Sequence, residues 1–350
     1  MADSNRIMAY LQRIAETLMF HSSFLYDVGL FNGKMGIAIF FFHLARKTGT
    51  NIYEEYACDL IEQMYESMHE HMPADYAGGF SGIGVGMAYL IRQKLIRADA
   101  DEVLEEIDEA FLHHAQHHLP IAPDIRAGIT GLGKYCAMRL LCRKQMNDDD
   151  PFKNQLLKIM QGFSDSYDSF EEMLGVIDFL AGIAPLNIAL EKNQVLLNHA
   201  VNHLERKLLE DIRYDFFSNK IIQLLSVAAT MVQTSAKTGD KTYSDKARHY
   251  LQLYKPAQNP HFSNENQSDK LLLGFLYQYL GKHFGDNKYL QLSEEALNDF
   301  LSQKIEQQAS MGLLGGYAGM GMHLLFLSGQ SLDGYLDVIP CFIHHNYLNK

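Results

Sequence analysis

A chain of 350 residues with 47% hydrophobic and 21% charged side chains can bury a substantial core, and its composition excludes disorder. Its 30 basic and 42 acidic residues leave a net charge of −12 without any Lys/Arg-rich block, which excludes a nucleic-acid backbone as partner. The four cysteines, Cys58, Cys136, Cys142 and Cys341, form no CxxC and no pairing framework, as expected of a reducing, cytoplasmic setting.

The first predicted element is an amphipathic helix over residues 3–20, which lacks the charged start and apolar centre of a signal peptide. An apolar helix follows in GLFNGKMGIAIFFFHLARKTG, introduced by Gly33, Gly36 and Ala38 in a small-x-x-small-x-small spacing. The next segment, NIYEEYACDLIEQMYESMHEHM, is wet except for one stripe of Tyr56, Leu60, Ile61, Met64 and Met68. Gly79, Gly82 and Gly84 then open a second apolar run, and Gly128, Gly131 and Gly133 open a third after ADADEVLEEIDEAFLHHAQHHL. Beyond the polar segment DDPFKNQLLKIMQGF the pattern blurs. Phe179, Gly182 and Ala184 fill the slots of IDFLAGIAPLNIAL; Gln223, Ser226 and Ala228 fill those of QLLSVAATMVQTSAKTG; LLLGFLYQYL keeps only Gly274. Polar amphipathic helices separate these copies, and Gly316, Gly319 and Gly321 complete the series.

The first slots fall at 33, 79, 128, 179, 223, 271 and 316, a period of 44 to 51 residues. Such a period marks an array of one supersecondary unit. Seven polar outer helices alternating with seven apolar inner ones predict an all-α fold, an α/α toroid of seven hairpins forming a single domain over 1–350. The longest apolar run, Gly36 to Phe42, is too short to span a bilayer. The small residues are expected to let inner helices approach backbone to backbone at one end of the ring. Gly82, Gly84 and Gly86 follow no strand, so they are no dinucleotide fingerprint.

Chemistry is expected in the loops before the inner helices, where free N–H groups and the helix dipole attract anions. Asp124 and Asp178, from consecutive repeats, are the candidate catalytic acid/base pair; helix capping is the alternative role for each. Lys34, Arg126, His261, Asp269, Lys270 and Tyr317 are the candidate substrate-binding residues. In HHAQHH, His113/His117 and His114/His118 are spaced i, i+4, but no third ligand follows at metal spacing.

The glycine-led repeats resemble the lanthionine synthetase C-like family, the cyclases of lanthipeptide maturation, over essentially the whole chain. That resemblance implies a seven-hairpin toroid acting on a peptide. It also implies a zinc ion, held by two cysteines and a histidine, that activates a peptide thiolate for addition to a dehydrated residue. The family's zinc-ligand positions fall here on Ile221, Asp269 and Lys270, and no cysteine lies between 143 and 340, so the ligand set is absent. Asp124 matches the family's acid/base aspartate, Asp178 stands where the family has a histidine, and the chain contains no tryptophan. The resemblance therefore implies a peptide-binding protein without zinc or zinc-dependent cyclisation, whose partners are a peptide substrate or leader peptide and a peptide-modifying enzyme. A metal-independent enzyme using the aspartate pair, glycosidase-like or peptide-modifying, is one alternative. A protein–protein interaction scaffold is the other.

Overall fold

The structure is a computed structural model that describes residues 4–344 except 70, 144–146, 164–166, 214–220, 255–264 and 306–309. Among the described residues it is helical, without strands. Seven inner helices, α2 (Lys34–Thr48), α4 (Phe80–Arg92), α7 (Ile129–Cys142), α9 (Phe170–Ile183), α11 (Ile221–Thr238), α13 (Gln267–Phe284) and α15 (Tyr317–Leu327), stand in a ring. Each touches the next, and α15 returns to α2. Outside them lie α3 (Asn51–Ser67), α6 (Glu105–His117, after a single turn α5, Ala100–Val103), α8 (Pro151–Gln161), α10 (Leu190–Arg213), α12 (Lys241–Tyr254) and α14 (Asn287–Ser302). The seventh outer helix is the first in sequence: α1 (Ser4–His21) packs on α15, burying Leu11, Ile14 and Leu18. Tyr10 donates its hydroxyl to the Leu301 carbonyl at 3.2 Å, tying the first helix to the end of α14 and closing the ring.

The glycine triplets work differently from the expectation. Gly33, Gly79, Gly128 and Gly316 are the N-caps of α2, α4, α7 and α15, all with φ between −100° and −107°. The loop before each crosses directly under the new helix. A Cβ at the second glycine would meet the carbonyl oxygen six residues back in every copy: 2.2 Å at Gly36, 2.0 Å at Gly82, 2.2 Å at Gly131 and 2.1 Å at Gly319. The third glycine instead seats an aromatic ring of the neighbouring inner helix. Gly84 takes Tyr135 of α7, Gly133 takes Phe179 of α9, and Gly321 takes Phe40 of α2. Two glycines thus admit the chain's own loop, and only the third serves the contact between inner helices.

The blurred copies are displaced from the predicted register. α9 begins at Phe170, capped by a Ser169/Glu172 capping box, and α13 begins at Gln267, capped by Asn266. Phe179 is therefore a mid-helix residue, not a cap. Where a side chain caps the helix, no loop needs to pass beneath it, and the glycines are not required.

Gly82→Ala is expected to destabilise the protein by about 2–3 kcal/mol, because its methyl group would press on backbone and not on a side chain that can rotate away. Gly182 has nothing within 4 Å of its added Cβ, so Gly182→Ala should stabilise by about 0.5–1 kcal/mol. Urea unfolding of the two variants checks the contrast; equal effects would show that the loop crossing does not set the requirement.

Candidate functional site

The loops before the inner helices join into a collar. Leu313 N–H donates to Phe31 O at 2.7 Å, Phe31 N–H to Ala77 O at 3.0 Å, and Tyr76 N–H to Arg126 O at 2.9 Å. Four neighbouring loops are thereby stitched edge to edge. Each also caps the helix that it precedes, through hydrogen bonds seven residues long: Lys34 N–H to Asp27 O, Phe80 N–H to Pro73 O, Ile129 N–H to Ala122 O and Tyr317 N–H to Ser310 O, at 3.0–3.2 Å. The first N–H groups expected to attract anions are consumed here by loop carbonyls.

Asp124 pins a turn in the loop before α7, whose N-cap is Gly128, so it does not cap that helix itself. Its carboxylate accepts from Ala127 N–H at 2.7 Å, as Asp75 accepts from Gly78 N–H at 2.7 Å one repeat earlier. Arg126 reaches across to Glu171 in the first turn of α9, its Nε 3.1 Å from the carboxylate. Burial raises the Glu171 carboxyl above its usual range, Arg126 opposes this, and the nearby Asp124 adds to it. Asp124 is thus grouped with Arg126 and Glu171, not with Asp178. Asp178 lies seven residues beyond Glu171, about 10 Å further along α9.

The other predicted binding residues do not converge on the mouth. Lys34 donates to Gln63 of outer helix α3 at 3.0 Å, and Lys270 pairs with Asp299 of outer helix α14 at 2.7 Å. Both long side chains run between the layers. Asp269 is tied to the Asn266 cap, its backbone N–H 2.9 Å from the cap oxygen; burial, aided by Glu265, pushes its carboxyl up to about 7. Tyr317 is buried in the first turn of α15. His261 lies outside the described residues.

The bore of the ring is filled by the chain's own C-terminal segment, which the sequence did not suggest. Beyond α15 a single turn, α16 (Tyr335–Val338), packs on α4, and a 3-10 turn from Cys341 to His344 packs on α9, α11 and α13. Val338, Ile339, Cys341, Phe342 and Ile343 are buried. Burying each large apolar side chain contributes about 1.5–3 kcal/mol. The segment's carbonyls are met from the ring: Tyr76 donates to Val338 O at 2.8 Å, Ser226 to Cys341 O at 3.4 Å and Arg126 to Ile343 O at 3.4 Å.

Asp178 sits inside the ring as a buried ion pair. Its two oxygens accept from Lys134 of α7 at 2.5 Å and Lys237 of α11 at 2.8 Å, and Lys237 also reaches Asp337 of α16 at 2.9 Å. Burial alone would raise the Asp178 carboxyl, but Lys134 and then Lys237 outweigh it and hold the group below its usual range. Burial wins at Lys134, lowering its pKa despite Asp178. At Lys237 burial is overcome by Asp178 and Asp337, and the pKa rises. The two lysines were not singled out from the sequence; ionisable residues within apolar helices were the available signal.

The positions that would hold the family's zinc do not fit it. Ile221 has no donor atom, Asp269 is committed to Asn266, and Lys270 is an ammonium paired with Asp299. Counting from the true cap of α13 moves two of these positions to Asn264 and Glu265, again neither cysteine nor histidine. Among the described residues no three His, Cys, Asp or Glu side chains gather as a metal would need. Burial raises the thiols of Cys136 and Cys341, the reverse of what a thiolate ligand requires.

Fold and site together define an α/α toroid of seven hairpins in which the described residues gather no group of metal-binding donors. Residues 2–126 match the family described as "Lanthionine synthetase C-like protein". Over its full length the chain is similar in structure to "Nisin cyclase", with a TM-score of 0.67 at 13% identity, covering 97% of this chain and 98% of that one. The resemblance read from the glycine repeats is borne out, by sequence over the N-terminal third and by fold over the whole ring. No curated protein matches the sequence. No helix among the described residues is long and apolar enough to cross a membrane.

Asp178→Asn leaves the buried Lys134 ammonium without its partner and the half-buried Lys237 with Asp337 alone, and should cost about 3 kcal/mol at neutral pH. Because the folded carboxyl is held below its unfolded value, its contribution is present above the ordinary carboxylate range and lost as pH falls through the folded value. The stability gap between native protein and variant should therefore narrow below about pH 4 in denaturant titrations. A gap independent of pH would show that only packing was lost.

Proposed function

We propose that this protein is a peptide-binding toroid of the lanthionine synthetase C-like kind, associated with peptide modification and lacking zinc-dependent cyclisation. The peptide docks on the collar face of the ring. The observation that carries this reading is a rim of large apolar side chains left in water beside the collar. Tyr26 is 97% exposed, Ile121 86% and Phe24 75%, all in the segments that lead into α2 and α7. Exposed apolar groups of this size on one face are characteristic of a docking surface. Ile121 lies in the same loop as Asp124 and Arg126, and a net charge of −12 favours a cationic partner.

The acid/base reading of Asp124 and Asp178 is less well supported. Asp124 is engaged in a turn, and Asp178 is neutralised by two lysines in the bore. A peptide-modifying enzyme docking on the same rim remains the alternative occupant, as the exposed side chains suit either.

Calorimetric titration with leader and core segments of lanthipeptide precursors is expected to give saturable binding without turnover. Replacing Phe24 and Tyr26 together by Ser should weaken it roughly tenfold or more, as loss of central aromatic contacts does. Stoichiometric zinc in the purified protein, or ring formation in an added dehydrated peptide, would overturn the proposal.

A further inference from the structure

A second site lies at the end of the ring opposite the collar. There the C-terminal halves of α4, α7 and α9 enclose a cavity of about 260 Å³. Its lining combines apolar residues, Val85, Met138, Leu141 and Phe179, with ionic ones. The ionic residues are three cations, Arg92, Lys134 and Lys237, against two carboxylates, Asp178 and Asp337. Both carboxylates are already engaged: Asp178 is shared by the two lysines and Asp337 by Lys237. Among the described residues Arg92 makes no ion pair with a carboxylate; its guanidinium lies 3.1 Å from the thioether of Met138. Lys134, buried and with three N–H donors, has Asp178 as its hydrogen-bond acceptor and keeps donors to spare.

A surplus of positive charge combined with apolar lining residues selects for an anion with an apolar body. The planar fork of Arg92 suits a carboxylate in particular. The volume lies below the roughly 300–1,000 Å³ of pockets for drug-sized ligands, so the ligand must be small. Pro185 and Leu141 at the lip are exposed, so the cavity opens to solvent without disturbing the collar.

We propose that this cavity binds a small apolar monocarboxylate, its carboxylate held between Arg92 and Lys134 and its body against Met138, Leu141 and Phe179. The site is independent of peptide docking on the collar. Burial lowers the pKa of Lys134, and an incoming anion would restore the balance that Asp178 alone leaves short.

The test uses the full-length protein with hexanoate and phenylacetate as probes and their neutral amides as controls, read by calorimetry and by thermal shift. The carboxylates should bind and raise the Tm, with the amides about tenfold weaker or more. Arg92→Met keeps the apolar stem at an exposed helix end, so its unliganded Tm should match the native protein while carboxylate affinity falls about tenfold. Equal binding of acids and amides, unchanged affinity in Arg92→Met, or no heat and no Tm shift at millimolar carboxylate would each overturn the proposal.

Discussion

The ring depends on a backbone crossing. In four repeats the loop before an inner helix passes beneath its first turn, and its carbonyls accept the N–H groups that a helix start leaves open. The crossing is so close that two positions of each repeat cannot carry a Cβ. Because these loops are clamped to the helices behind them, they also meet one another edge to edge and form the collar. The same hydrogen bonds remove the anion-attracting character of the helix starts. Asp75 and Asp124 serve this arrangement by pinning the turns.

With the collar closed over one end and the C-terminal segment laid through the bore, ionisable groups inside the ring must neutralise one another. Asp178 meets two lysines from the flanking helices, and Asp337, delivered by the C-terminal segment, completes the arrangement. Removing Asp178 would strand the buried Lys134 ammonium, whereas Lys237 and Asp337 keep partial contact with solvent. The positions onto which the resemblance places zinc ligands hold structural partners: Asp269 its own cap, Lys270 an outer helix. The interior holds the fold together, and binding is assigned to the exposed rim and to the cavity at the far end.

How far the sequence could be read depended on which device caps each helix. The glycine device has a rigid spacing, so Gly33, Gly79, Gly128 and Gly316 marked true helix starts. Repeats four and six are capped by Ser169 and Asn266. There, Gly182 and Gly274 drew the register several residues too far, placing Asp178 in a loop when it lies deep in α9. The Ser169 to Glu172 spacing of a capping box was the signal that would have corrected it. Lys34 and Lys270 were placed correctly near helix starts, but which way a long side chain turns is decided by where a partner lies, here on α3 and α14.

By itself the sequence determined the repeat, the alternation of wet and apolar helices and hence the seven-hairpin ring, because periodicity and steric exclusion of a Cβ are local properties. It determined as well that no cysteine or histidine stands at the positions expected to bind zinc. Only the tertiary structure decided that α1 completes the last hairpin, that residues 335–343 occupy the bore, and that Asp178 shares its charge with Lys134 and Lys237. Those pairings join residues 44 to 295 positions apart, and closing a ring imposes them through shape and charge balance that no local pattern records.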